Sequence, residues 1–194
     1  MKRVLTRADI LAPEIYAAQR AERRRAAIRQ KSLRQVLIGP YASATFESYE
    51  SMLLQVQEML HIERGGEAQI ADELAAYNPL VPKGRELVAT VMLEIEDATR
   101  RARVLATLGG IEHTAYLSFA GETIAGVAEA DQDRTDESGK ASAVQFLHFP
   151  FTDAQVEKFR NPGVEVMLGF KHKNYGHVTV LPETIRAALA GDFA

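Results

Sequence analysis

Glu58 and His61 form a Glu-x-x-His pair within the run FESYESMLLQVQEMLHIER, residues 46–64. Three positions apart on a helix, a carboxylate and an imidazole occupy successive turns of one side. That spacing lets both bind one metal in di-iron helical bundles. At about 100° per residue, Phe46, Tyr49, Met52, Leu53, Val56, Met59 and Leu60 share a broad apolar side. Glu47, Glu50, Leu54, Glu58 and His61 share the other. The chain has no cysteine, so any metal here would be held by oxygen and nitrogen, a donor set that suits Fe, Mn or Zn. One pair does not complete such a site. The missing ligands are expected from Glu47 or Glu50 and from His113, His172 or His177, which requires the polar side of this helix to face the C-terminal half. The plainer reading is a solvated helix face.

Two further groups could carry chemistry. Arg20, Arg23, Arg24, Arg25 and Arg29 crowd one segment, together with Lys31 and relieved by Glu22. Such a segment could take an anionic ligand or an acidic partner. Its charges spread around the helix, and arginines also pair with carboxylates elsewhere in the fold. Against nucleic acid stand the net charge of −3 and the lack of a strand mixing aromatic and basic residues. His172 and His177 bracket HKNYGH, where two histidines, a tyrosine and a lysine could line a pocket or hold a metal. His148, between Leu147 and Phe149, reads more simply as a hydrogen-bonded structural histidine. Glu94 and Glu96 share a strand face, most simply an exposed one, and Glu112-His113 would point to opposite faces of a strand. Gly109-Gly110 is explained by capping a helix. The chain contains no Walker A, G-x-G-x-x-G, G-x-S-x-G or H-E-x-x-H pattern, so the standard nucleotide, hydrolase and zincin chemistries lack their usual residues.

These side chains must be positioned by an ordinary globular fold. The 194 residues are 46% hydrophobic and 25% charged, enough apolar content for a core without cross-links. Up to residue 80 the pattern is helical. Thr6 and Asp9 have capping-box spacing, and Pro13 fits the first turn of a helix reaching Lys31. After a short β-type run at Val36–Ile38, a second helix is expected from Thr45 to Arg64 and a third from Glu67 to Tyr77. Beyond a Pro/Gly connector, strands are expected at 87–96, 111–119, 122–129, 142–149, 164–170 and 177–181. Short helices should follow Asp97, Thr152 and Pro182, and 131–140 should be a polar loop. With too few helices to cross between strands, the sheet should be mainly antiparallel. The expected fold is α+β: one domain over 1–194, with a helical layer in 1–80 and an α+β part in 81–194. No apolar run has the length of a signal peptide or a membrane span, which points to the cytoplasm.

The run at 46–64, together with ELAAYNPLVPKGREL (73–87), AT-x-MLEI (89–95), LGGIE (108–112), ASAVQFLHF (141–149) and HKNY (172–175), resembles an uncharacterised bacterial domain-of-unknown-function family, DUF3501. The resemblance covers nearly the whole chain. It implies a compact cytoplasmic protein, and a link to iron or oxidative metabolism through neighbouring rubrerythrin-like and iron–sulfur oxidoreductase genes. It implies no activity and no ligand set. Two functions are therefore expected: an iron-type metal-binding accessory protein of redox metabolism, or a non-catalytic adaptor. The adaptor would dock a redox-enzyme partner or an anionic ligand through the basic N-terminal helix.

Overall fold

The computed structural model describes residues 2–129 and 134–194. The expectation of a polar loop at 131–140 falls partly outside these residues. The chain builds helix α1 (Pro13–Lys31), strands β1 (Gln35–Ile38) and β2 (Ala42–Phe46), and helices α2 (Tyr49–Glu63) and α3 (Gly66–Tyr77). There follow β3 (Glu86–Leu93), α4 (Ala98–Leu105), β4 (Ala115–Phe119), β5 (Glu122–Ala125), β6 (Val127–Ala128) and β7 (Val144–Pro150). The chain continues through α5 (Asp153–Arg160), β8 (Val166–His172), β9 (Tyr175–Val180) and α6 (Glu183–Ala190). The fold is α+β, N-terminal helices followed by two antiparallel sheets with short helices. The sheets have strand orders β1-β2-β3-β7-β6 and β5-β4-β8-β9.

Inward residues of both sheets make one core. Val36, Ile38, Phe46, Leu87, Val91, Leu147 and Phe149 come from the first sheet, and Leu117, Phe119, Leu168 and Phe170 from the second. A second apolar cluster lies on the other side of the first sheet. There Val88 and Phe146 pack with Leu5, Ile10, Met52, Val56, Ile70 and Leu80 of the N-terminal part. β3 is thus covered on both faces, which is why LVATV reads as a continuous apolar run instead of an alternation. β7, by contrast, alternates between buried and half-buried positions along its length.

The structure corrects the start of the second helix. Residues 42–46 pair with β3 and 42–45 also with β1, and the helix begins only after Ser48. The Ser48 side chain accepts from the Ser51 amide (3.1 Å), and the Ser48 amide donates back to Ser51 Oγ (2.9 Å). This is a capping box with serine at both ends. α2 stops at Arg64, in the left-handed conformation (φ 57°), followed by Gly65 and Gly66. A second correction concerns Glu112 and His113. They lie in a 3-10 turn, Ile111–Thr114, not on a strand. Glu94 and Glu96 fall beyond the end of β3.

The two sheets are joined where β1 meets β9. The buried Tyr175 hydroxyl accepts from the Tyr41 and Ala42 amides (both 2.9 Å) and donates to the Ile38 carbonyl (2.7 Å). One side chain therefore satisfies three backbone groups at the β1–β2 turn. The C-terminus is tied down as well: Arg34 pairs with the buried Asp192, and the Ala194 amide donates to Gly84 O.

Candidate functional site

The Glu-x-x-His stripe divides into parts with different surroundings. Glu47 is not on the helix. It is buried, and it accepts from Thr90 Oγ1 (2.5 Å) and Ser51 Oγ (2.6 Å). Burial pushes its carboxyl above the usual range, against the pull of those two hydrogen bonds. Glu50 is exposed. Glu58 is pinned by α1: Arg20 donates Nε and a terminal nitrogen to its two oxygens (both 2.8 Å), and the Tyr16 hydroxyl donates at 2.5 Å. The Arg20 fork, opposed by burial and helped by Tyr16, lowers the Glu58 carboxyl to about 2. His61 meets Tyr16 edge-on, with ring centroids 5.8 Å apart.

The polar side of α2 thus turns to α1, not to the C-terminal half, correcting that expectation. The bidentate arginine fork wins because it neutralises a half-buried carboxylate at short range with both oxygens filled. The histidines of the sheet half have other contacts. His113 is exposed, with Nε2 3.8 Å from Glu112 Oε1. His172 is buried; its Nε2 lies 3.2 Å from Gly109 O, and its Nδ1 accepts from the Asn174 amide (3.2 Å). His177 is exposed and leans on Tyr175, at 4.6 Å between centroids. Among the described residues, no group of three or more His, Asp or Glu side chains is gathered as a metal ion would need. Glu47, Glu50, Glu58, His61, His113, His172 and His177 do not fit one iron-type centre as arranged.

His148 does meet two carboxylates, but across the ring: Nδ1 to Glu86 (2.9 Å) and Nε2 to Glu129 (2.7 Å). Opposite ring nitrogens cannot share one metal with both acids, so this cluster is an ion-paired staple.

Two surfaces of the helical layer remain. The first is α1 itself. It has nineteen residues, of which Tyr16 alone is buried. Arg24, Arg25 and Arg29 are exposed, and only Arg20 of the five candidate arginines has an ion pair among the described residues. Arg23 donates to Gln19 (3.0 Å).

The second surface is a groove of about 570 Å³ between the segment 10–17, α2 and the start of α3. Ile10, Leu11, Pro13, Ala17, Leu60 and Ile70 supply apolar walls; Gln57 and His61 line it from α2, and Arg64 from the residue that ends α2. Sequence inspection found His61 but missed Gln57 and Arg64. Their spacing from His61, four before and three after, was the available signal.

A family model described as "Protein of unknown function (DUF3501)" matches residues 4–193. A solved structure, that of a novel protein of unknown function from Burkholderia pseudomallei K96243, superposes with a TM-score of 0.91 at 37% identity. The match covers 98% of this chain and 100% of that one. No curated protein matches the sequence. Among the described residues, no helix is long and apolar enough to cross a membrane.

Proposed function

The chain belongs to the DUF3501 family, whose function is unknown, and on that footing we propose that it is a non-catalytic adaptor whose helix α1 docks an acidic protein partner. The observation that carries this reading is the state of α1. A nineteen-residue helix that buries one side chain gains little from its own fold. Between positions 20 and 31 it has six cations and one carboxylate, a net charge of +5, which leaves −8 on the rest of a chain of net charge −3. The pair Arg20–Glu58 fastens the helix to α2, while Arg24, Arg25 and Arg29 stay in solvent, where like charges repel. An acidic surface laid along α1 would relieve that repulsion and cover the exposed Ile28 as well. The partner that suits the family's resemblance-based link to redox metabolism is a rubrerythrin-like or iron–sulfur oxidoreductase protein with an acidic face.

The test is a binding titration of the chain against a purified rubrerythrin-like protein, with a triple charge reversal at Arg24, Arg25 and Arg29. The reading expects affinity to drop by about tenfold or more in the triple variant, and to weaken for the native chain as salt rises. An unchanged helical spectrum would show that the fold survives. Undiminished binding by the variant, or no complex with the protein but a salt-sensitive complex with generic duplex DNA, would overturn it.

A further inference from the structure

We propose that the groove between residues 10–17, α2 and α3 is a binding site for a small amphipathic monocarboxylate, an apolar chain or ring carrying one carboxylate. The juxtaposition behind this is a row of unused donors above an apolar trough. Gln57 and His61, spaced i and i+4, project from one side of α2, and Arg64 follows at the left-handed residue that ends the helix. All three line the groove, with Leu60 between them. Gln57 is 97% buried, and its carboxamide oxygen is already taken by the Leu11 amide (2.8 Å). Its amide NH₂ makes no hydrogen bond among the described residues. That NH₂ is therefore a donor left free for a ligand acceptor, on a side chain whose other end is already fixed. The His61 ring and the Arg64 guanidinium also make no hydrogen bond among the described residues.

With the carboxamide acceptor occupied, what Gln57 and Arg64 offer is donors, and a carboxylate is the acceptor-only group that matches them. The apolar body follows from the walls, Ile10, Leu11, Pro13, Ala17, Leu60 and Ile70. The volume of about 570 Å³ lies inside the range of small-molecule pockets, roughly 300–1,000 Å³. Local charge limits the ligand to one negative charge. Arg7 and Glu67, both lining the groove, neutralise each other through a two-bond pair (2.5 and 2.9 Å). That leaves Arg64 as the cation and Glu14 as a carboxylate that would repel a polyanion. Glu58 and Arg20 are spent on one another behind Tyr16. The groove is separate from the exposed arginines of α1, so this proposal stands whether or not α1 docks a partner.

Calorimetric titration of the full chain with dodecanoate, and with dodecanol as its uncharged counterpart, tests the site. Dodecanoate should bind, and dodecanol should bind about tenfold or more weakly. Arg64→Ala and Gln57→Leu should each weaken dodecanoate several-fold and bring the two ligands closer. Ala17→Trp, which fills the trough from an exposed position, should abolish both. Circular dichroism of each variant checks the fold, and Arg64→Ala is the second arm if Gln57→Leu does not fold. No binding of dodecanoate below its micellar range would overturn the proposal. So would equal affinity for dodecanol, or binding that survives Ala17→Trp.

Discussion

His148→Gln should lower stability below neutral pH and cost progressively less as the solution becomes alkaline. The structure dictates this through the Glu86–His148–Glu129 staple. Each ring nitrogen faces a carboxylate, at 2.9 and 2.7 Å. Only the imidazolium carries N–H on both sides; a neutral ring would aim a lone pair at one of the acids. The Glu86 hydrogen bond, opposed by burial and aided by Glu129, raises the His148 pKa above its usual value. Burial alone would raise Glu86, but the His148 bond and the Lys83 amide outweigh it, and its pKa falls.

The two signs define a window. His148, raised on folding, contributes fully below its unfolded value of about 6.5 and loses that contribution as pH rises through its folded value. Glu86, lowered on folding, contributes above its unfolded value near 4.3 and loses it as pH falls through its folded value. The staple is therefore at full strength between about pH 4.5 and 6.5. Charge-assisted hydrogen bonds contribute about 1.5–3 kcal/mol each. The three side chains are 17–21% exposed, so the lower end is appropriate, and about 2–3 kcal/mol for the pair follows. Glutamine keeps one donor, so His148→Gln should cost about 1–2 kcal/mol near pH 6 and almost nothing near pH 9. Urea unfolding of both proteins across that range measures it. Amide exchange at Glu129, whose N–H donates to Phe146 O (3.1 Å), should quicken over the same pH interval. A stability difference that stays constant with pH would refute the charged staple.

Tyr175→Phe should destabilise the fold by about 2–4 kcal/mol, since it strips one partner from three backbone groups at the β1–β2 turn; a loss under about 0.5 kcal/mol in denaturant unfolding would show that water replaces the hydroxyl. Glu47→Gln should be neutral or stabilising at pH 7, because burial already disfavours the charged form, and any gain should vanish once acid protonates Glu47 in the native protein. Chemical denaturation at pH 7 and about pH 4 decides this, and a clear loss of stability at pH 7 would contradict the raised Glu47 pKa.

The elements with strong local signals were readable from the amino acids. α1 spans Pro13–Lys31 as expected, α3 ends at Tyr77, and α5 and α6 follow Thr152 and Pro182, because capping and proline signals act within a few residues. β2 was not. Its first three residues, Ala42-Ser43-Ala44, are small and carry little strand preference of their own, and Thr45-Phe46 are too short a β-type run to stand out. Missing it extended α2 backwards and put Glu47 on a helix face, when that residue belongs to the buried junction between sheet and helix.

The site was harder for a related reason. Helical spacing shows which side chains share a side, and it did place Glu58 and His61 together. It does not show what that side faces. Arg20 lies thirty-eight residues from Glu58, and Glu86 sixty-two from His148; only the packing of α1 on α2, and the register of β3 against β7, bring these pairs together. A carboxylate three residues before a histidine has the same pattern whether its neighbour is a metal or a guanidinium. The two cases diverge in what the neighbouring element supplies. α1 brings an arginine whose fork fills both oxygens of Glu58, and it brings Tyr16 between that ion pair and His61. Once Glu58 is filled, Gln57, His61 and Arg64 are what this end of α2 turns to the groove, and the chemistry proposed there changes from holding a cation to holding an anion.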